Sequence, residues 1–145
     1  MSDTPKTTPK TVGDVMTRKV IVLSVEDNLQ KVLEAMDKFH IRHVPVMDGE
    51  KLVGIVSQRD MLAMMTTRLN RSDAEVTKED SFYERTFVIN AMTKDPMAVA
   101  PETTLKEAAK ILLENRFGGL PVVSEGKLVG VITETDLLRV LESIL

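Results

Sequence analysis

The stretch Lys51–Asp60, KLVGIVSQRD, recurs over Lys127–Asp136 as KLVGVITETD. Lys127 follows Lys51 by 76 positions, and Met92-Thr93 follows Met16-Thr17 by the same 76. Pro45-Val46 and Pro121-Val122 keep that offset, as do Leu29 and Leu105. The register runs ungapped from about Val15 to Met65 against Ala91 to Leu141. We read the chain as two copies of one supersecondary unit, each about fifty residues long. One copy alone buries too little apolar surface for comfortable stability, so the copies are expected to pack on each other.

The quoted stretch is a returning strand, Lys51 to Ser57, that runs into a helix beginning near Gln58. Before it, His43 to Met47 reads as a strand, and Asp48-Gly49 supplies a tight turn. Farther upstream, Leu29, Val32, Leu33 and Met36 form a helical stripe capped by Asp27 or Asn28 and running to about His40. The β-branched run Val20 to Leu23 reads as a short buried strand, and Val12 to Met16 as a helical turn. The unit order is therefore strand, helix, strand, strand, helix. Its second copy has Met97-Ala98-Val99, then a helix from Thr104 to Asn115 with capping-box spacing to Glu107. Gly119 to Val123 and Lys127 to Thr133 pair around Ser124-Glu125-Gly126, and a closing helix starts at about Glu134. The expected division is a flexible tail over 1–11, a first repeat over 12–66, a connector over 67–86 and a second repeat over 87–145. The connector has few apolar anchors, with helix expected from Phe82 towards Ala91.

Composition narrows the function classes. Hydrophobic residues are 43% and charged residues 28%, an ordinary globular balance. The net charge of −3 comes from interspersed signs and offers no basic face for nucleic acid. With no cysteine, disulfides, thiol nucleophiles and thiolate metal sites are excluded. No apolar run is long enough to span a bilayer, and the polar opening MSDTPKTTPKT has no signal-peptide core, so a cytoplasmic location is expected.

The polar residues shared by the copies lie where strand meets helix. Ser57-Gln58-Arg59-Asp60 is matched by Thr133-Glu134-Thr135-Asp136. An ionised carboxylate has two acceptor oxygens and can take both hydroxyls of a ribose. The adjacent hydroxyl and the free amides of a helix start suit a phosphate. The same spacing is also a capping box, in which the acid closes the helix end and binds nothing else. Spacing leaves both readings open, and one residue can serve both. His40 and His43 lack a third donor nearby, so no metal site is expected. Met36, Met61, Met64 and Met65 fall at helical spacing and read as core or interface filling.

Taken together, the early Met-Thr, the Pro-Val of the middle strand and the closing Gly-x-x-[Ser/Thr]-x-x-Asp of both copies resemble a tandem pair of CBS domains, a Bateman module, over residues 12–145. The name comes from cystathionine β-synthase. The resemblance implies an α/β fold of two pseudo-twofold repeats, each β-α-β-β-α, packed through their short sheets with two clefts between them. It implies adenosyl ligands: AMP, ADP or ATP, with S-adenosylmethionine or NAD(H) as alternatives. The ribose-binding acids would be Asp60 and Asp136, supported by the hydroxyls of Ser57 and Thr133. Each cleft would take its base-binding segment from the opposite repeat, so Asp60 would work with Thr93, Met97 and Ala98, and Asp136 with Thr17, Ile21 and Val22. The family often carries basic phosphate ligands before the shared proline. Here Arg42-His43 fits that pattern, whereas the second copy has Gly118-Gly119, a departure that makes the Asp60 cleft the better equipped for a charged nucleotide. Arg116 is the residue that would compensate in the Asp136 cleft, and Arg59 beside Asp60 is either a phosphate contact or solvent-exposed.

A regulatory module follows as the expectation, with nucleotide binding passed on to a separate, unidentified protein. Homodimerisation is expected through Met64, Met65, Leu141 and Ile144. A purely structural interaction module is the alternative. No P-loop, dinucleotide fingerprint or nucleophile elbow is present, so an enzyme is not expected.

Overall fold

The computed structural model describes residues 8–69 and 79–145. In chain order the elements are α1 (Val12–Val15), β1 (Leu23–Ser24), α2 (Leu29–Phe39), β2 (His43–Asp48), β3 (Lys51–Ser57) and α3 (Gln58–Leu69). Then come α4 (Glu79–Arg85), a 3-10 turn (Val88–Asn90), β4 (Thr93–Lys94), α5 (Leu105–Asn115), β5 (Gly119–Ser124), β6 (Lys127–Thr133) and α6 (Glu134–Ile144). Part of the connector expected over 67–86 lies outside the described residues.

The chain forms two compact units whose borders do not follow the sequence repeats. One comprises the described residues through Val20 together with Met97–Leu145; the other comprises those of Ile21–Pro96. Each unit thus holds the body of one repeat and the opening segment of the other.

In the Ile21–Pro96 unit a four-stranded sheet runs in the order β1-β2-β3-β4. β1 is parallel to β2, whereas β2–β3 and β3–β4 are antiparallel. Gly49, at φ 62°, makes the β2–β3 turn, a conformation glycine adopts without the steric cost of a Cβ. Asn28 caps α2, its side chain accepting a hydrogen bond from Lys31 N at 3.0 Å, and His40 ends the helix in the left-handed region. Leu29 and Val32, one face of α2, are fully buried against Val44, Val46, Val56 and Met61. Val88 completes this core, although it belongs by sequence to the second repeat.

The other unit repeats these relations at an offset of 76. β5 and β6 form a two-stranded sheet, and two isolated bridges stand where the first sheet has its outer strands. Val99 bridges Val122 as Leu23 pairs with Val46, and Thr17 bridges Val131 as Thr93 pairs with Ile55. Both hairpins carry an irregularity at the same place, Val46/Met47 and Val122/Val123. Val12 and Met16 sit in the core with Ala108, Leu112, Leu120, Val122 and Ile132. Val12 is therefore the counterpart of Val88: each is 0% exposed, and each is lent to the body of the other repeat.

The exchange is fastened by matching backbone hydrogen bonds. Val12 N donates to Thr103 O at 2.8 Å, as Val88 N donates to Asp27 O at 2.9 Å. Leu105 N donates to Lys10 O at 3.0 Å, as Leu29 N donates to Thr86 O at 2.9 Å.

Three local expectations need correction. The β-branched run Val20 to Leu23 pairs only at its end, over Leu23–Ser24, and Val22 is 44% exposed. Met97-Ala98-Val99 contributes one bridge, at Val99, not a strand. The helix expected from Phe82 to Ala91 is two pieces, because Phe87 is extended (φ −77°, ψ 149°) between α4 and the 3-10 turn.

Candidate functional site

Both strand-to-helix corners are built on the reciprocal caps that their spacing suggests. At the first, Ser57 N donates to Asp60 Oδ2 at 2.8 Å, and Asp60 N donates to Ser57 Oγ at 3.1 Å. Asp60 is half-buried, and its Oδ1 receives no hydrogen bond from the described residues. β2 starts alongside this corner. His43 lies opposite Ser57 in the ladder, and Gln58 N donates to Arg42 O at 2.8 Å. β4 adds Thr93, opposite Ile55 on the far side of β3. Ser57, Asp60, Arg42, His43 and Thr93 thus belong to one unit.

The second corner is more enclosed. Thr133 N donates to Asp136 Oδ2 at 2.9 Å, and Thr133 Oγ1 lies 3.1 Å from the same oxygen. Asp136 N returns a longer contact to Thr133 Oγ1 at 3.4 Å. Thr17 Oγ1 donates to Asp136 Oδ1 at 3.3 Å, across 119 positions of sequence. Asp136 is 5% exposed and is the only charged side chain buried among the described residues. A groove of about 290 Å³ opens beside it, lined by Pro9, Val15, Asp136, Arg139, Val140 and Ser143. In place of Arg42, Gly118 offers its carbonyl to Glu134 N at 3.0 Å.

Asp136, Thr133 and Thr17 share one unit, whereas Ile21 and Val22 belong to the other. Likewise Met97 and Ala98 lie in the unit that does not contain Asp60. Arg116 ends α5 in the left-handed conformation at φ 56°, matching His40 at φ 54°.

Two residues central to this geometry, the glycines that open the shared Gly-x-x-[Ser/Thr]-x-x-Asp motif, are given no structural task by the sequence reading. A Cβ on Gly54 would meet Thr93 O at 3.0 Å and the Met92 side chain, and one on Gly130 would meet Thr17 O at 2.9 Å and Met16 Sδ at 2.7 Å. These glycines let the exchanged Met-Thr segments lie against β3 and β6, which places Thr17 and Thr93. The signal was a shared glycine and a shared Met-Thr at one offset. Arg139 was also missed, although it stands one helical turn beyond Asp136.

The chain matches the family described as CBS domain twice, over residues 12–66 and 88–143. The chloroplastic CBS domain-containing protein CBSX1 of Arabidopsis thaliana is 35% identical over 95% of this chain and 66% of its own length. The crystal structure of CBSX2 in complex with AMP superposes with a TM-score of 0.74 at 35% identity, covering 92% of this chain and 97% of that one. Inosine-5'-monophosphate dehydrogenase of Korarchaeum cryptofilum (strain OPF8) is 37% identical over 83% of this chain but only 22% of the enzyme. This chain therefore spans less than two thirds of these two curated relatives.

Proposed function

The chain belongs to the CBS-domain family as a tandem pair, and on that premise we propose that it is a regulatory module that binds an adenosine nucleotide of the AMP, ADP or ATP type. The observation that carries this reading is Oδ1 of Asp60, a half-buried carboxylate oxygen left unused by its own helix cap and by every other described residue. A cap needs one oxygen; a ribose diol can use the other. Ser57 supports the same corner, Thr93 of β4 is assigned a second hydroxyl contact, and Arg42 and His43, whose backbone lies alongside Ser57 and Gln58, are assigned to the phosphate. CBSX2, similar over nearly its whole structure, is a protein seen with AMP.

Binding biases a conformational equilibrium only if the nucleotide prefers one arrangement of the chain. We assign the output to a second protein, and assembly to a homodimer through α3 and α6. Those helices expose Leu62 and Met65, and Leu138, Leu141 and Ile144, respectively. No helix among the described residues is long and apolar enough to cross a membrane. Catalysis forms no part of the proposal, although the same domain occurs within a dehydrogenase.

The complete caps at both corners favour a second reading, an interaction module with no ligand. A thermal-shift panel with AMP, ATP, S-adenosylmethionine and NADH separates the two. At about a hundred times the dissociation constant, a ligand adds ~2.7 kcal/mol. The nucleotide reading requires such a shift in the wild type and its loss in Asp60→Asn. A flat response to the whole panel selects the ligand-free module.

A further inference from the structure

The two acid corners share a sequence pattern but are not equivalent. At Asp136 both carboxylate oxygens are occupied: Oδ2 by Thr133, Oδ1 by the Thr17 hydroxyl. At Asp60, among the described residues, only Oδ2 is occupied, and Thr93, the counterpart of Thr17, gives it no hydrogen bond. Burying an ionised carboxylate is costly unless its lone pairs are satisfied. At 5% exposure Asp136 meets that need from within the chain. Thr17 is held for the task by two backbone hydrogen bonds, its N donating to Val131 O at 2.9 Å and its O accepting from Val131 N at 3.0 Å.

Resting on the reading that Asp60 takes the diol, we infer that Asp136 is a latch, not a second nucleotide grip. Its carboxylate ties the exchanged segment Val12–Thr17 to the start of α6, so the chain takes one adenosine nucleotide. A sugar hydroxyl arriving at Asp136 must compete with Thr17 for Oδ1, and Gly118-Gly119 stand in the sequence where the first corner has Arg42-His43, leaving Arg139 as the cation of the adjoining groove.

Calorimetric titration of the full chain with AMP reads the count. One nucleotide per chain, abolished by Asp60→Asn, is expected. Two per chain, or a site that survives Asp60→Asn, overturns the inference. The latch is read independently by chemical denaturation of Thr17→Val, Asp136→Asn and the double variant. Thr17→Val should lower the folding equilibrium constant about tenfold, the scale of one hydrogen bond to a charged group. The double variant should lose less than the two singles combined, while Thr93→Val with Asp60→Asn should be additive. Additivity at Thr17 and Asp136 overturns the latch. If Asp136→Asn does not fold, Thr17→Ser replaces it: retaining the hydroxyl should retain stability, and a loss equal to that of Thr17→Val overturns the latch. Absence of any binding heat in the wild type refutes the nucleotide reading and the one-site count with it, while the denaturation cycle still decides the latch.

Discussion

The carbonyl oxygen of Thr17 lies 2.9 Å from the point that a Cβ on Gly130 would occupy. Backbone cannot yield there as a flexible side chain can. Gly130→Ala should therefore cost about 1–3 kcal/mol by overpacking. Gly54→Ala should cost a similar amount, since Thr93 O and Met92 Cγ each stand 3.0 Å from its Cβ position. Trimming the thioether with Met16→Ala should not restore Gly130→Ala, because the carbonyl remains. Urea denaturation of the three variants checks this, and a full rescue would show that the side chain alone set the limit.

This contact marks the boundary of what sequence reading reaches. The repeat is legible because Met16-Thr17, Gly54 and their counterparts Met92-Thr93 and Gly130 share one offset. Spacing also announces the corner caps, since Ser57-x-x-Asp60 and Thr133-x-x-Asp136 are local patterns. That the Met-Thr of one repeat packs on the glycine of the other is a tertiary fact no local pattern encodes. The short edge strand Thr93–Lys94 is unreadable for a related reason: it is polar and exposed, and only pairing with Gly54 and Ile55 makes it a strand. Val20-Ile21-Val22 fails in the opposite sense. Its β propensity is high, but β1 meets β2 only at Leu23 and Ser24. Nor does spacing reveal that Asp136 is enclosed and Asp60 half-open, because burial depends on which segment arrives from afar.

Helix caps offer a second test. Thr104 gives α5 one bond, accepting from Glu107 N at 3.1 Å. Asn28 does the same for α2 and also donates through Nδ2 to Glu84 O at 3.1 Å, near the end of α4. Thr104→Ala should cost about 1 kcal/mol, and Asn28→Ala towards about 2 kcal/mol. Equal losses in thermal denaturation would mean that the bond to Glu84 contributes nothing.

Asp14 links the exchanged N-terminal segment to pH. Backbone hydrogen bonds from Lys10 N and then Thr11 N, each 3.0 Å from its Oδ2, hold its carboxyl below the ordinary aspartate value of 3.8. A depressed folded value means the charged form is favoured by folding. The contribution is present in full above 3.8 and is lost as pH falls through the lower folded value. Carbon-detected NMR titration should show Asp14 protonating below the ordinary aspartate range, with the Lys10 and Thr11 amides shifting alongside. Asp14→Asn should remove that component of the acid response; an unchanged acid profile would contradict the assignment.

The most direct measurement is a crystal structure of the full chain grown with AMP. The ribose hydroxyls should lie within hydrogen-bonding distance of Asp60 Oδ1, while Thr17 Oγ1 remains on Asp136. A diol seated on Asp136, or a nucleotide bound without touching Asp60, would contradict that placement.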